Sequence, residues 1–320
     1  MEVESRHHRK FGYAAWILVL YTIVIIVWGA WVRISGSGDG CGEHWPLCHG
    51  AAVPLGASVK TWTEVSHRYS TALFGVLVLV QLFVIRRTCS PSHRARFWIW
   101  CTLLFTVTEA LIGRLLVVRG LVNESESLSR LYVMPLHLIN TSLLLFSEVM
   151  TAEHLWTGGT PLLCKNARVR RTMVIGTATL LLLLTTGAIA ALGSHLAPAS
   201  SLMAGLADDV SRNSHPAVRL RVIHPVLGLS LPIVIFLALA YRGGNPAPKQ
   251  LTVMYRNFAV TVGLMVLTGI ATLSLLAPVW LKLTHLTMAN LIVVGASRCL
   301  FYTLFLRKAG KTPPCCESGS

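Results

Sequence analysis

The sequence predicts an all-α integral membrane protein with eight transmembrane helices, built as two pseudo-symmetric four-helix bundles. Three observations predict it. Of the 320 residues, 53% are hydrophobic and 13% charged, whereas soluble chains carry about 25% charge. Apolar stretches repeatedly reach the roughly 20 residues that a helix needs to cross a bilayer. Basic residues gather in alternate connections between those stretches, as membrane orientation demands.

The first apolar run extends from Phe11 to Ile34. It is too long for a signal-peptide core, and no small-residue cleavage site follows, so it reads as the first membrane helix. The ten residues before it leave little room for an organelle transit peptide, which favours a prokaryotic cytoplasmic membrane. The expected spans are 12–34, 65–85, 97–118, 131–150, 172–193, 218–241, 253–277 and 280–305. The amino terminus, the 86–96, 151–171 and 242–256 loops and the tail hold most of the 28 Lys and Arg residues. The 35–63, 119–130 and 194–217 loops are poorer in them and carry Asp39, Glu43, Glu124, Glu126, Asp208 and Asp209. The positive-inside rule then places both termini in the cytoplasm and these three loops outside. The net charge of +15 is thereby explained by topology, and a nucleic-acid partner is excluded.

Of eight cysteines, only Cys41 and Cys48 fall in an outward loop. An oxidising exterior permits a disulfide between them while the remainder stay reduced. Such a bridge either staples the loop or takes part in thiol chemistry.

Eight of the twelve histidines fall in tails and loops, and four fall in spans: His67, His137, His224 and His285. Each is in an even-numbered span, near its outward end, so the four imidazoles share one depth. Ionisable residues inside a membrane are costly and mark functional sites. A lone helical histidine usually satisfies a hydrogen bond. Four at matched depth point to heme, whose iron takes neutral imidazole ligands from facing helices of a bundle. His67 with His137 and His224 with His285 are the natural pairs. Arg33, Arg68, Arg114, Arg219, Arg221 and Arg298 are candidates to neutralise propionates, since guanidinium forks match carboxylates.

The histidines also reveal a repeat. Gly29-Ala30 is echoed by Gly187-Ala188, and His137-Leu138 by His285-Leu286. Four spans return the chain to its starting side, so the halves, 1–160 and 161–320, are parallel repeats. They diverge beside the first histidine of each. Glu64 lies three residues before His67, on the same helix face, whereas Arg221 lies three before His224. Glu64 could favour the helix start or move a proton. Only the first half carries this acid and the Cys41/Cys48 loop, which predicts one reactive heme and one that relays electrons or holds the fold.

At these residues the chain resembles the heme A synthase family. The matching features are Gly29-Ala30-Trp31-Val32-Arg33, Ser35-Gly36-Ser37-Gly38, the stretch from Cys41 through Trp45-Pro46-Leu47-Cys48 to Gly50, and Glu64-Val65-Ser66-His67-Arg68. The resemblance runs from about residue 12 to 306. It implies oxidation of the C8 methyl of heme O to a formyl group by successive hydroxylations, with water supplying or exchanging the final oxygen. It implies that His67 and His137 flank the substrate heme as catalytic residues with Glu64, with Arg68 beside that heme. It implies that His224 and His285 hold a permanent heme b, and that Cys41 and Cys48 are the family's outer-loop pair. The implied partners are heme O, a heme O synthase, an electron donor and the lipid bilayer, with a homo-oligomer left open. Two departures stand out: no second cysteine pair occupies 194–217, and Glu109, ahead of Arg114, stands where a glutamine is expected. The four histidines would also suit a diheme b-type electron-transfer protein, which has no need of Glu64 or the cysteine loop. They would also serve a transporter with a histidine proton relay.

Overall fold

The structure is a computed structural model and describes residues 2–123, 125–157, 167–230 and 249–304. Its helices are α1 (Glu2–Ile34), α2 (Val59–Thr88), α3 (Ala95–Val118), α4 (Arg130–Thr157), α5 (Ala167–Leu196), α6 (Leu202–Val210), α7 (Pro216–Leu220), α8 (223–230), α9 (Lys249–Ser274) and α10 (Val279–Leu304). Seven of these are long and apolar enough to cross a membrane. The chain is therefore an all-α integral membrane protein. The expected 218–241 span is only partly described. Over the described part it is not one rod, because α7 stops at Leu220 and a turn at 221–222 precedes α8. The remainder of that span lies outside the described residues.

Other boundaries differ from expectation for local reasons. Helix α2 starts at Val59 rather than 65, because the Ser58 side chain caps it by accepting the Thr61 N–H at 3.3 Å. Helices α4 and α5 run past their expected ends to Thr157 and Leu196, so His154 and His195 are helical residues and not loop residues. On α4 the polar run Glu148, Glu153 and His154 mimics the end of an apolar span, yet all three are buried. Partners on neighbouring helices make that burial tolerable. Thr22 of α1 meets Glu148 at 2.9 Å, and Arg298 and Tyr302 of α10 donate to Glu153 at 2.6 and 3.0 Å.

Helix α4 is the hub. It packs against α1 and α3 within its own half and against α5 and α10 of the other. Helices α1 and α3 each also meet α2, while α9 and α10 pair in the second half. Lipid tails are as apolar as leucine, so such contacts rest on close packing and interhelical hydrogen bonds rather than on water exclusion, at roughly 0.6–2 kcal/mol per bond. Thr102 to Ser147 at 3.0 Å and Asn140 Nδ2 to the Phe105 carbonyl at 2.9 Å tie α3 to α4 in this way.

Candidate functional site

All four span histidines line one continuous cavity of about 2260 Å³ that reaches into both halves. An ordinary small-molecule site occupies roughly 300–1,000 Å³, so this one suits more than one large ligand. Among the described residues, no cluster of three or more His, Cys, Asp or Glu is placed to hold a metal ion by itself.

Each imidazole packs against a glycine of the preceding long helix. A Cβ added at Gly29 of α1 would lie 2.9 Å from His67 Cε1. One at Gly187 of α5 would lie 3.0 Å from His224 Cε1, and one at Gly269 of α9 would lie 3.1 Å from His285 Cε1. Gly113 of α3 is the loose member, with 4.0 Å to His137 Cε1. At Gly29 an added side chain would force the ring to shift, and at Gly187 and Gly269 the ring would have to give by a few tenths of an ångström. The repeated Gly-Ala dipeptide exposed two of these glycines in the sequence; Gly113 and Gly269 had no such marker.

In the second half the two histidines are held alike. Thr186 Oγ1 and Thr268 Oγ1 each stand 3.3 Å from the Nδ1 of His224 and His285. Each hydroxyl donates its proton to a helix carbonyl, Leu183 at 2.8 Å and Met265 at 2.9 Å. It therefore accepts from Nδ1–H, which leaves Nε2 as the lone-pair nitrogen. The two rings are 6.2 Å apart between centroids and nearly perpendicular. Two imidazole–metal bonds of about 2 Å each, plus the ring radii, span about that distance. The pair fits a metal centre ligated from both sides, the arrangement in which a porphyrin supplies the four equatorial ligands. The Thr-Gly dipeptides at 186–187 and 268–269 carry this arrangement, and an internal comparison of the sequence exposes them.

The first half differs. His67 Nδ1 is buried with no hydrogen-bond partner. His137 Nδ1 lies 3.4 Å from Glu109 Oε1, short of hydrogen-bond geometry. Glu109 accepts from Asn140 Nδ2 at 2.6 Å and from the Thr141 hydroxyl, both on α4. The acid at this departure from the family pattern thus stands behind a histidine, whereas Arg114 is exposed.

Glu64 lines the cavity, but its carboxylate is engaged. Oε2 accepts the Cys41 N–H at 2.8 Å and Oε1 pairs with Arg68. Arg68 in turn donates to the carbonyls of His44 at 2.7 Å and Leu47 at 2.9 Å. Cys41 and Cys48 form a disulfide that packs with Val65. A Cβ at Gly40 would stand 2.7 Å from the Lys60 carbonyl, so only glycine lets the loop lie this close to α2. Glu64 and Arg68 therefore fasten the disulfide loop over the cradle of His67. Arg221, at the equivalent place in the second half, fastens α6. It donates to Asp209 Oδ1 at 2.5 Å and to the carbonyls of Ala197 and Gly205 at 2.9 and 3.0 Å.

Residues 12–296 match the COX15-CtaA family model, described as cytochrome oxidase assembly protein. The chain is 35% identical over 282 residues to a Thermus thermophilus protein named protoheme IX farnesyltransferase, an alignment covering 88% of this chain and 46% of that one. It is 36% identical over 137 residues to the heme A synthase of Bacillus pumilus, covering 42% and 41%, and 31% identical over 108 residues to that of an Exiguobacterium species, covering 33% and 35%. The aligned region spans less than half of each of these relatives. The family match takes in both histidine pairs, their glycines, Glu64 and the disulfide loop, which makes this chain a member of the COX15-CtaA family of cytochrome oxidase assembly proteins.

Proposed function

We propose that the chain is a heme A synthase, which oxidises the C8 methyl of heme O to a formyl group to give heme A for terminal oxidases. The observation that carries this reading is the unequal finish of two otherwise equal histidine cradles in one cavity. His224 and His285, with Nδ1 anchored by threonine, suit a resident heme b. That heme supplies one-electron transfer when bound. His67 and His137, less firmly held, suit a heme that must enter and leave, and they orient it for reaction. Glu64, one turn from His67, is the carboxylate placed to take a proton, and Arg68 fixes its orientation. The disulfide loop covers this cradle and keeps bulk water from it.

The heme A synthases among the relatives support the reaction, and the Thermus protein supports a partner. That relative joins a region similar to this chain to a longer remainder under a farnesyltransferase name, so a heme O-forming enzyme is the proposed supplier of substrate. The basic segments support an orientation with both termini in the cytoplasm and the disulfide loop outside, and the bacterial relatives support a prokaryotic cytoplasmic membrane.

A second reading, a diheme electron-transfer protein without methyl oxidation, draws on one observation: both oxygens of Glu64 are already engaged. The two readings separate in one experiment. The protein is purified from cells co-expressing a heme O-forming enzyme and its hemes are extracted for mass analysis. Hydroxylated and formyl hemes are expected. Bound heme with neither product would establish the electron-transfer reading, and no bound heme would remove both.

A further inference from the structure

Above the histidines, where the halves meet, the cavity wall carries three cations with no ion-pair partner among the described residues. Arg33 of α1, Arg130 of α4 and Lys282 of α10 all line it. Arg33 is close enough to interact electrostatically with both of the others, and His195 of α5 adjoins all three. The carboxylates that form ion pairs among the described residues are Glu64, Glu109, Glu153 and Asp209, each engaged elsewhere. Asp39 and Glu43 line a neighbouring pocket instead. Arg130 is 1% exposed and gives one guanidinium nitrogen to the Asn123 and Ser125 carbonyls, yet its Nε is buried without a partner. Neither the Arg33 guanidinium nor the Lys282 ammonium has a hydrogen-bond partner among the described residues, although both backbones do. Charges inside a membrane protein are paired or bind an ion. Three like charges converging on one cavity, one with an orphaned donor, form a seat for an anion.

Register shows which anion. Arg33 follows Gly29 by four residues, Arg130 precedes His137 by seven and Lys282 precedes His285 by three. Each spacing returns to the same helix face, one or two turns from the ring toward the same end of the bundle. The cations therefore overhang both cradles from one side. We propose that Arg33, Arg130 and Lys282 form a single carboxylate seat shared by the two halves, taking a propionate from the porphyrin in each cradle. This rests on the heme reading above and adds to it. The halves meet at their ligands' acidic edges, and Lys282 serves the second cradle as Arg33 serves the first.

The test is equilibrium binding, read from the Soret band, and needs no turnover. Heme-depleted protein in nanodiscs of phosphatidylcholine is titrated with iron protoporphyrin IX and, separately, with its dimethyl ester, which lacks the charges. The wild type should bind the ester about tenfold more weakly than the acid, the strength of a charged hydrogen bond. In Arg33→Gln and Lys282→Gln the acid should lose most of that advantage while ester affinity stays constant. An acid preference undiminished in both variants, or none in the wild type, would overturn the seat and leave the heme reading standing. No Soret shift with either porphyrin would overturn the heme reading and the seat with it. Nanodiscs containing phosphatidylglycerol form the last arm. Unchanged affinities support the carboxylate, whereas loss of the acid preference assigns the seat to a lipid phosphate.

Discussion

The two halves of the molecule hold their first histidines in the same way and finish them in opposite ways. His67 and His224 each lie against a glycine of the preceding long helix, and the residue three positions earlier reaches out to an extramembrane segment in both. In the first half that residue is Glu64, which accepts from the disulfide loop. In the second it is Arg221, which donates to the α6 segment. Opposite charges do the same mechanical task. The sequence presents Glu64 against Arg221 as a break in symmetry, and the structure adds a conserved purpose beneath the break. What separates the halves chemically is the far side of the rings. Threonine hydroxyls stand behind both histidines of the second pair, a carboxylate stands behind His137, and His67 Nδ1 has no hydrogen-bond partner among the described residues.

That comparison can be broken most directly at the ligands. His224→Ala or His285→Ala should remove most of the bound heme b signal, measured as pyridine hemochrome per protein, whereas His67→Ala should leave it. Equal losses from both halves would show that the pairs do not work separately. Next in size is Glu64→Gln. The amide oxygen can still accept from Cys41 N–H, so the loop should stay in place and heme content should hold, while hydroxylated and formyl hemes disappear from the extract. Full activity would reduce Glu64 to the fastening role that it shares with Arg221.

The threonines give a smaller effect. Thr186→Val and Thr268→Val keep shape but remove the acceptor behind Nδ1, and outer partners of this kind are worth about 10–100-fold in metal affinity. Heme b should dissociate faster from either variant, followed by transfer to apomyoglobin; unchanged rates would deny the hydroxyls a part in fixing the tautomer. The smallest is Glu109→Gln. A carboxylate behind a ligating imidazole raises its basicity and favours the oxidised metal. Its loss should therefore move the midpoint potential of the first-half heme upward and leave that of the second unchanged in a redox titration. A shift in both hemes, or in neither, would detach Glu109 from the His137 ring.

Most of the fold was legible because a bilayer imposes length and charge rules that a sequence displays openly. The long helices follow from them, and so does the gathering of His67, His137, His224 and His285 along one cavity. The ends of α4 and α5 were not legible. Glu148, Glu153 and His154 look like residues that end a span until Thr22, Arg298 and Tyr302 are brought beside them. The four histidines that line the cavity were legible, and the groups that pack around them were not. Nothing local in the sequence brings Gly269 to His285, or Lys282 beside Arg33, because those neighbours come from helices far apart along the chain. Glu64 shows the reverse limit: its place beside His67 follows from helical spacing, but its bond to Cys41 depends on how the outward loop folds back.

The glycine–histidine contact is also modular. It occurs four times, always between an earlier long helix that brings the glycine and the next one that brings the ring. In each half, the first such contact straddles a long connection and the second a short one. The smallest arrangement that recurs is thus a pair of successive long helices with one glycine and one ring between them. Two such hairpins bring two rings to each end of the cavity, so a change confined to one hairpin alters one ring and leaves the other three in place.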